Sequence, residues 1–197
     1  LWAACGAGPG RCNPGDLGMS ESDVLPVPPA FADGLENWSR QDGLAGQASY
    51  LGAADATLVP ADQVFGACLE IFKSETVQQV RWFGEVPVEP GRYLRISARI
   101  RQVGGPLATV RIGCWAGAED GGAVSGQSLT GPEVALTDYG QVATVATTVG
   151  TGARSGVDLV WDDAVAQARV GLDITGTNGA ILRIESKVAY QTRVSID

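Results

Sequence analysis

The sequence predicts an all-β protein, an antiparallel β-sandwich with an extended N-terminal arm. Short runs rich in β-branched and aromatic residues recur along the chain, and several alternate apolar with polar side chains. Between them stand "VEPGR", "VGGP", "GTGARSG" and "TGTNGA", turns whose Pro, Gly and Asn supply the torsions a reversal needs. No window has the apolar spacing of an amphipathic helix, and "DDAVAQA" allows a single turn. With 27 glycines and 10 prolines in 197 residues, many short elements are expected. At 45% hydrophobic, the chain can bury one core and so forms one domain.

Taken in order, residues 1–29 are rich in Gly and Pro and end in "VLPVPPA", a linker or arm that builds no core of its own. Residues 30–197 form the domain. The expected strands are "EIF", "TVQQVRWFGEVPV", "RYLRISARIRQ", "ATVRIGCWA", "YGQVATVATTV", "GVDLVW", "ARVGLDI", "ILRIES" and "KVAYQTRVSI". "RYLRISARIRQ" carries four arginines in eleven residues of a chain with net charge −8. A period of two sends Leu94, Ile96, Ala98 and Ile100 inward and leaves Arg95, Ser97, Arg99 and Arg101 outward. In "TVRIGCW", Val110, Ile112 and Cys114 point inward, with Arg111 and Trp115 outward. If Val80 and Trp82 point inward, Gln79 and Arg81 join the outward row. "AGAEDGGAVSGQSLTGPE" has no period and reads as a mobile loop. "GTGARSG" has no helix after it, so it reads as a hairpin rather than a phosphate loop.

The composition excludes several chemistries. There is no histidine, which removes Ser–His–Asp and Cys–His catalysis and the commonest metal ligand. The acidic net charge argues against nucleic acid as a general partner. No stretch of about 18 apolar residues offers a membrane span. Cys5 and Cys12 flank a short loop that a disulfide would close in an oxidising compartment. Cys114 reads as a buried thiol, a Cys68–Cys114 bridge stays open, and the spacing does not suit zinc. The start at Leu1 suits a processed product or part of something longer.

"FADGLENWSRQDG" resembles the opening strand of jelly-roll carbohydrate-binding modules (family 4/9-like), with a pattern near F-x-x-G-L-x-x-W. "VQQVRWFGEVPVEPGRYLRISARIR" resembles their next landmark, a V-x-Q strand leading through a P-G turn to a Tyr-initiated strand. "ARVGLDITGTNGAILRIESKVAY" resembles the closing hairpin, with Glu185 where aspartate is frequent. The likeness runs from about residue 31 to 194, with 116–132 as an insertion. It implies a jelly-roll sandwich that binds sugar across a curved sheet face or at a loop edge. The same sandwich occurs as appendages of enzymes and of phage-like or gene-transfer particles. It implies no required cofactor, and a structural calcium for which Asp33, Glu36 and Asp197 are candidate ligands.

Candidate ligand-binding residues are Arg81, Arg95, Arg99, Arg111, Trp115 and Tyr50. Guanidinium forks hold carboxylate or sulfate, and an indole face stacks on a sugar ring. The alternative use of these arginines is cross-strand pairing, with Asp158 and Asp173 as partners. Trp38, Trp82 and Trp161 fall in apolar register and are expected in the core, and Tyr93 as a structural residue. "NWS" at Asn37 matches a glycosylation acceptor. The leading role is non-catalytic binding of an anionic cell-surface polysaccharide, extracellular or on a virion surface. A second is a structural or spike subunit of a larger assembly, with residues 1–29 tethering a protein partner. A third is a glycoside hydrolase using two of Glu75, Glu85, Asp162 and Asp163.

Overall fold

A computed structural model describes residues 38–41, 49–50, 56–82, 86–153, 156–185 and 192–195. The side chains of 38–41, 49–50, 82 and 192–195 are not among what is described. The arm, Cys5, Cys12, Asn37, Glu85 and the calcium candidates Asp33, Glu36 and Asp197 lie outside these residues, as do the side chains of Tyr50, Trp38 and Trp82.

The described residues form strands and turns. In order these are β1 (Trp38–Gln41), β2 (Ser49–Tyr50), β3 (Ala56–Asp62), β4 (Gly66–Phe72), β5 (Gln78–Trp82), β6 (Val86–Pro87), β7 (Arg92–Gly104) and β8 (Thr109–Gly117). They continue with β9 (Leu129–Thr130), β10 (Val134–Ala135), β11 (Val142–Thr151), β12 (Leu159–Trp161), β13 (Gln167–Thr175), β14 (Ile181–Glu185) and β15 (Thr192–Ser195). One sheet of eight strands runs β10-β8-β13-β5-β1-β2, with β6 on β13 and β9 on β8. The other, of seven, runs β12-β11-β7-β14-β4-β3, with β15 on β7.

The two sheets face each other across the core. Leu69, Ile71, Leu94, Ile96, Ile100, Leu182 and Ile184 of the seven-stranded sheet meet Val80, Ile112, Cys114, Val170, Leu172 and Ile174 of the other. Alternation therefore reads directly as inward and outward, and β7 follows it as expected. Leu94, Ile96, Ala98 and Ile100 are buried, while Arg95 and Arg99 are exposed. Trp161 is buried with its indole N–H donating to the Gln127 carbonyl at 3.0 Å. Tyr93 is buried too, its hydroxyl donating to the Gly152 carbonyl at 3.2 Å.

Three details, β3, "GTGARSG" and Asp158, depart from the sequence reading, and a fourth settles the open question of Cys68 and Cys114. β3 was not foreseen, because Pro60 interrupts its pattern; as an edge strand it needs no ladder donor there. "GTGARSG" does not make a hairpin, since β12 returns parallel to β11, with Val149 beside Leu159. Asp158 fixes that return, its carboxylate accepting the Thr148 N–H at 2.7 Å while its own N–H donates to the Thr148 carbonyl at 2.9 Å. Asp158 therefore caps backbone, and it pairs with no arginine among the described residues. Cys68 and Cys114 are buried free thiols. Leu69 and Ile71 are the inward residues of β4, so Cys68 faces away from the core that holds Cys114.

The loop at 116–132 is pinned rather than loose. Ala118 N–H donates to the Gly122 carbonyl at 2.7 Å, and the Gln167 amide donates to the Ala118 carbonyl at 2.7 Å. The Gln127 side chain accepts the Asp162 N–H at 2.7 Å. Val124 and Leu129 pack on the core, and β9 extends the sheet beside β8. Spread among glycines, these anchors leave no period to read.

Candidate functional site

The outward arginines divide between two sheets. Arg95 and Arg99 lie on β7 in the seven-stranded sheet, whereas Arg81, Arg111 and Trp115 lie on β5 and β8 in the eight-stranded one. All five point outward, so the sandwich itself separates them into two surfaces. Tyr50 belongs to the eight-stranded sheet at its β2 edge, opposite Ser39.

On the seven-stranded sheet the guanidinium groups are neutralised across strands. Arg99 pairs with Glu185 at 3.0 Å. Arg101 and Arg183 converge on Asp62, and Arg183 also holds Glu70 at 2.8 Å. Phe65 lies beneath, its ring centroid 5.6 Å from Arg99 and 5.9 Å from Arg101. The other oxygen of Asp62 accepts the N–H groups of Val64 and Phe65, both at 2.8 Å, which closes the β3–β4 turn. Burial alone would raise the Asp62 pKa; the Phe65 N–H, Arg183, the Val64 N–H and Arg101 outweigh it and hold the carboxyl far below the usual range. This face is a structural ion lattice. Arg95 stands exposed outside it and forms no ion pair among the described residues.

The outer face of the eight-stranded sheet is built differently. Across β5, β13 and β8, Gln79, Asp173 and Arg111 form one row, and Arg81, Gly171 and Gly113 the next. Arg169 and Trp115 face each other in the row beyond. The two glycines put no side chain on this strip of the face, and both are buried. A Cβ at Gly113 would stand 2.4 Å from Cη2 of Trp115, so the indole folds back along its own strand and lies over that residue. A Cβ at Gly171 would come within 2.2 Å of the Val80 carbonyl oxygen. Arg81 stacks on the indole with its guanidinium carbon 3.4 Å from the ring centroid, in cation–π geometry. Arg81 is buried, while Trp115 remains partly open to solvent.

Arg111 closes this strip at one end. Its Nε donates to Asp173 at 3.3 Å and its Nη1 to Glu133 at 3.0 Å. Burial pushes the Asp173 carboxyl above its usual value, against the pull of Arg111. Of the two partners Asp173 is buried and Glu133 open, their side chains being 4% and 56% exposed. Glu133 sits between β9 and β10, which both pair with β8, so the inserted segment borders the strip. Asp173 was a foreseen arginine partner. Glu133, Arg169 and the two glycines were not, although the alternation in "ARVGLDI" already places Arg169, Gly171 and Asp173 on one face.

Replacing Gly113 with Ala is expected to drive the indole off its seat and to cost about 1–3 kcal/mol through overpacking. Tryptophan fluorescence would shift to the red with greater acrylamide quenching; an unchanged spectrum would contradict the seating.

The described acids among those considered for hydrolysis, Glu75, Asp162 and Asp163, lie elsewhere. Asp162 and Asp163 are exposed in the turn before β13, where Asp162 accepts the Ala164 N–H at 2.9 Å. Glu75 is exposed on the β4–β5 connection. Among the described residues no group of three or more His, Cys, Asp or Glu could hold a metal, and no helix is long and apolar enough to cross a membrane.

No protein-family model matches the chain, and no curated protein matches it. Among solved structures it is similar to a family 61 carbohydrate-binding module in complex with β-1,4-galactotriose. That likeness has 12% identity and a TM-score of 0.50, over 84% of this chain and 95% of the other. It is also similar to the CBM22-1 xylan-binding domain of Xyn10C from Paenibacillus barcinonensis, at 13% identity and a TM-score of 0.50. There the match spans 87% of this chain and 96% of that one. These likenesses show the fold: the chain is an all-β jelly-roll sandwich of the kind seen in carbohydrate-binding modules.

Proposed function

We propose that the protein binds a polysaccharide, without cleaving it, along the strip of the eight-stranded sheet centred on Trp115. The observation that carries this reading is the indole held by Arg81 over Gly113, oriented and still partly exposed. A ring held in one pose offers its apolar surface at little entropic cost, which is what the C–H face of a pyranose needs. Two proteins of the same fold bind a galactotriose and xylan, so sugars are the first ligands to test.

The polymer is anionic, as found on cell surfaces. Arg111 keeps its fork oriented through buried Asp173 while its other donor rests on solvent-exposed Glu133. An exposed pair of that kind contributes only about 0–1 kcal/mol, so a ligand carboxylate can take the place of Glu133. Arg81 is engaged by the indole and acts as its support. Arg95 and Arg99 have no part in this strip.

Affinity electrophoresis in gels containing neutral or uronate-rich polymers tests the proposal. Retention in uronate gels that weakens with salt is expected; migration unaffected by every polymer at every salt concentration would end it. Glu133→Gln is expected to strengthen retention by acidic polymers about 2- to 5-fold. Weaker retention in that variant would mean that Glu133 contacts the sugar directly.

A further inference from the structure

Lys73 is fully buried, and its ammonium is held by oxygens alone. Nζ donates to the carbonyl of Glu75 at 2.5 Å, the carbonyl of Thr76 at 3.2 Å and the Asn178 side-chain oxygen at 2.8 Å. Three donors meet three acceptors, so the ammonium is saturated, and none of the three acceptors carries a charge. Removing that cation from water is costly. Burial accordingly lowers the Lys73 pKa, opposed by the nearby charge of Glu75.

The place of this cluster in the fold shows what it holds. Residues 73–77 carry the chain from β4 in one sheet to β5 in the other, and residues 176–180 carry it back from β13 to β14. The two crossovers lie side by side. Lys73 N–H donates to the Ala180 carbonyl at 2.9 Å, Gly179 N–H to the Lys73 carbonyl at 2.8 Å, and the Asn178 amide to the Ser74 carbonyl at 2.7 Å. Gln78 gathers the same turn, its side-chain oxygen accepting the N–H groups of Ser74 at 3.1 Å and Glu75 at 3.3 Å. Carbonyls from one crossover and an amide oxygen from the other thus converge on a single positive charge.

We propose that these oxygens form a cation site whose resident ion is the Lys73 ammonium, and that this tethered ion locks the two inter-sheet crossovers together. Cut back to its Cβ, the side chain leaves room for three carbons and a nitrogen, the size of a primary alkylammonium. The site would then accept that class of cation from solution, and binding would stabilise the folded chain by mass action. The inference is independent of any sugar.

The test is amide hydrogen exchange and thermal unfolding of Lys73→Ala, titrated with n-propylammonium and, as a control, tetramethylammonium, which has no N–H donor. Loss of protection at the Gly179 amide, restored saturably by n-propylammonium and not by the control, is expected. Full protection without amine, or equal responses to both cations, would overturn the proposal. Should that variant not fold, Asn178→Ala, at an exposed position, is compared with Asn178→Asp, since both lose the amide donated to Ser74 and only the alanine loses the acceptor for Lys73. Exchange at Gly179 at least tenfold faster in the alanine variant than in the aspartate variant, with the strands unchanged, would support the lock; equal exchange in the two would overturn it.

Discussion

Trp115→Ala is expected to lower affinity for a retained polysaccharide by roughly 30-fold, the equivalent of about 2 kcal/mol for a central aromatic anchor. The indole is the apolar platform of the strip, and Gly113 beneath it has no side chain to offer a substitute surface. Trp115→Phe keeps a ring over Gly113 and a face for Arg81, and so retains most of the affinity. Isothermal titration of both variants, with thermal unfolding in parallel, separates loss of the platform from loss of the fold. Equal affinities for wild type and Trp115→Ala would show that sugar binds elsewhere.

The largest effect on stability is expected at the other face. Asp62→Ala leaves the guanidinium groups of Arg101 and Arg183 facing each other and the Val64 and Phe65 amides without their acceptor. Removing one member of a buried ion cluster costs about 3–5 kcal/mol. At roughly 2–4 °C per kcal/mol for a domain of this size, the melting temperature would fall by about 6–20 °C. The pH dependence has a definite sign. The Asp62 carboxyl is held far below its ordinary value of 3.8, so it stabilises the fold above that pH and ceases to as the pH falls through the folded value. The wild type therefore loses stability below about pH 4 that Asp62→Ala never had, and the two curves approach each other in acid. Urea titrations at pH 7 and pH 3 would show it. A gap that stays constant with pH would mean that the Asp62 charge does not matter.

Much of this was legible residue by residue. The period of two in "RYLRISARIRQ" and "TVRIGCW" placed Leu94, Ile96, Ala98, Ile100, Val110, Ile112 and Cys114 inward, as they lie, because alternation is a local property of the extended backbone. Which sheet a strand joins is not local. Arg95 and Arg99 follow the same rhythm as Arg81 and Arg111, and only the pairing of β7 with β11 and β14 sets them on the opposite surface. Asp173 was foreseen as a partner, but two others were hidden for the same reason: Asp62 comes from β3, which Pro60 concealed, and Glu133 from a segment without period. Gly113 and Gly171 lie inside the strands expected from the sequence, where alternation assigns them no role. Their purpose is visible only when an indole lies over one and a neighbouring carbonyl crowds the other.

The most direct test of the central claim is nuclear magnetic resonance mapping of the protein with an acidic oligosaccharide. The account predicts shifts at the Trp115 indole and at the amides of Arg111, Gly113, Arg169 and Gly171, with the Asp62–Arg101–Arg183 surface silent. Shifts confined to that opposite surface, or none with any glycan, would contradict it.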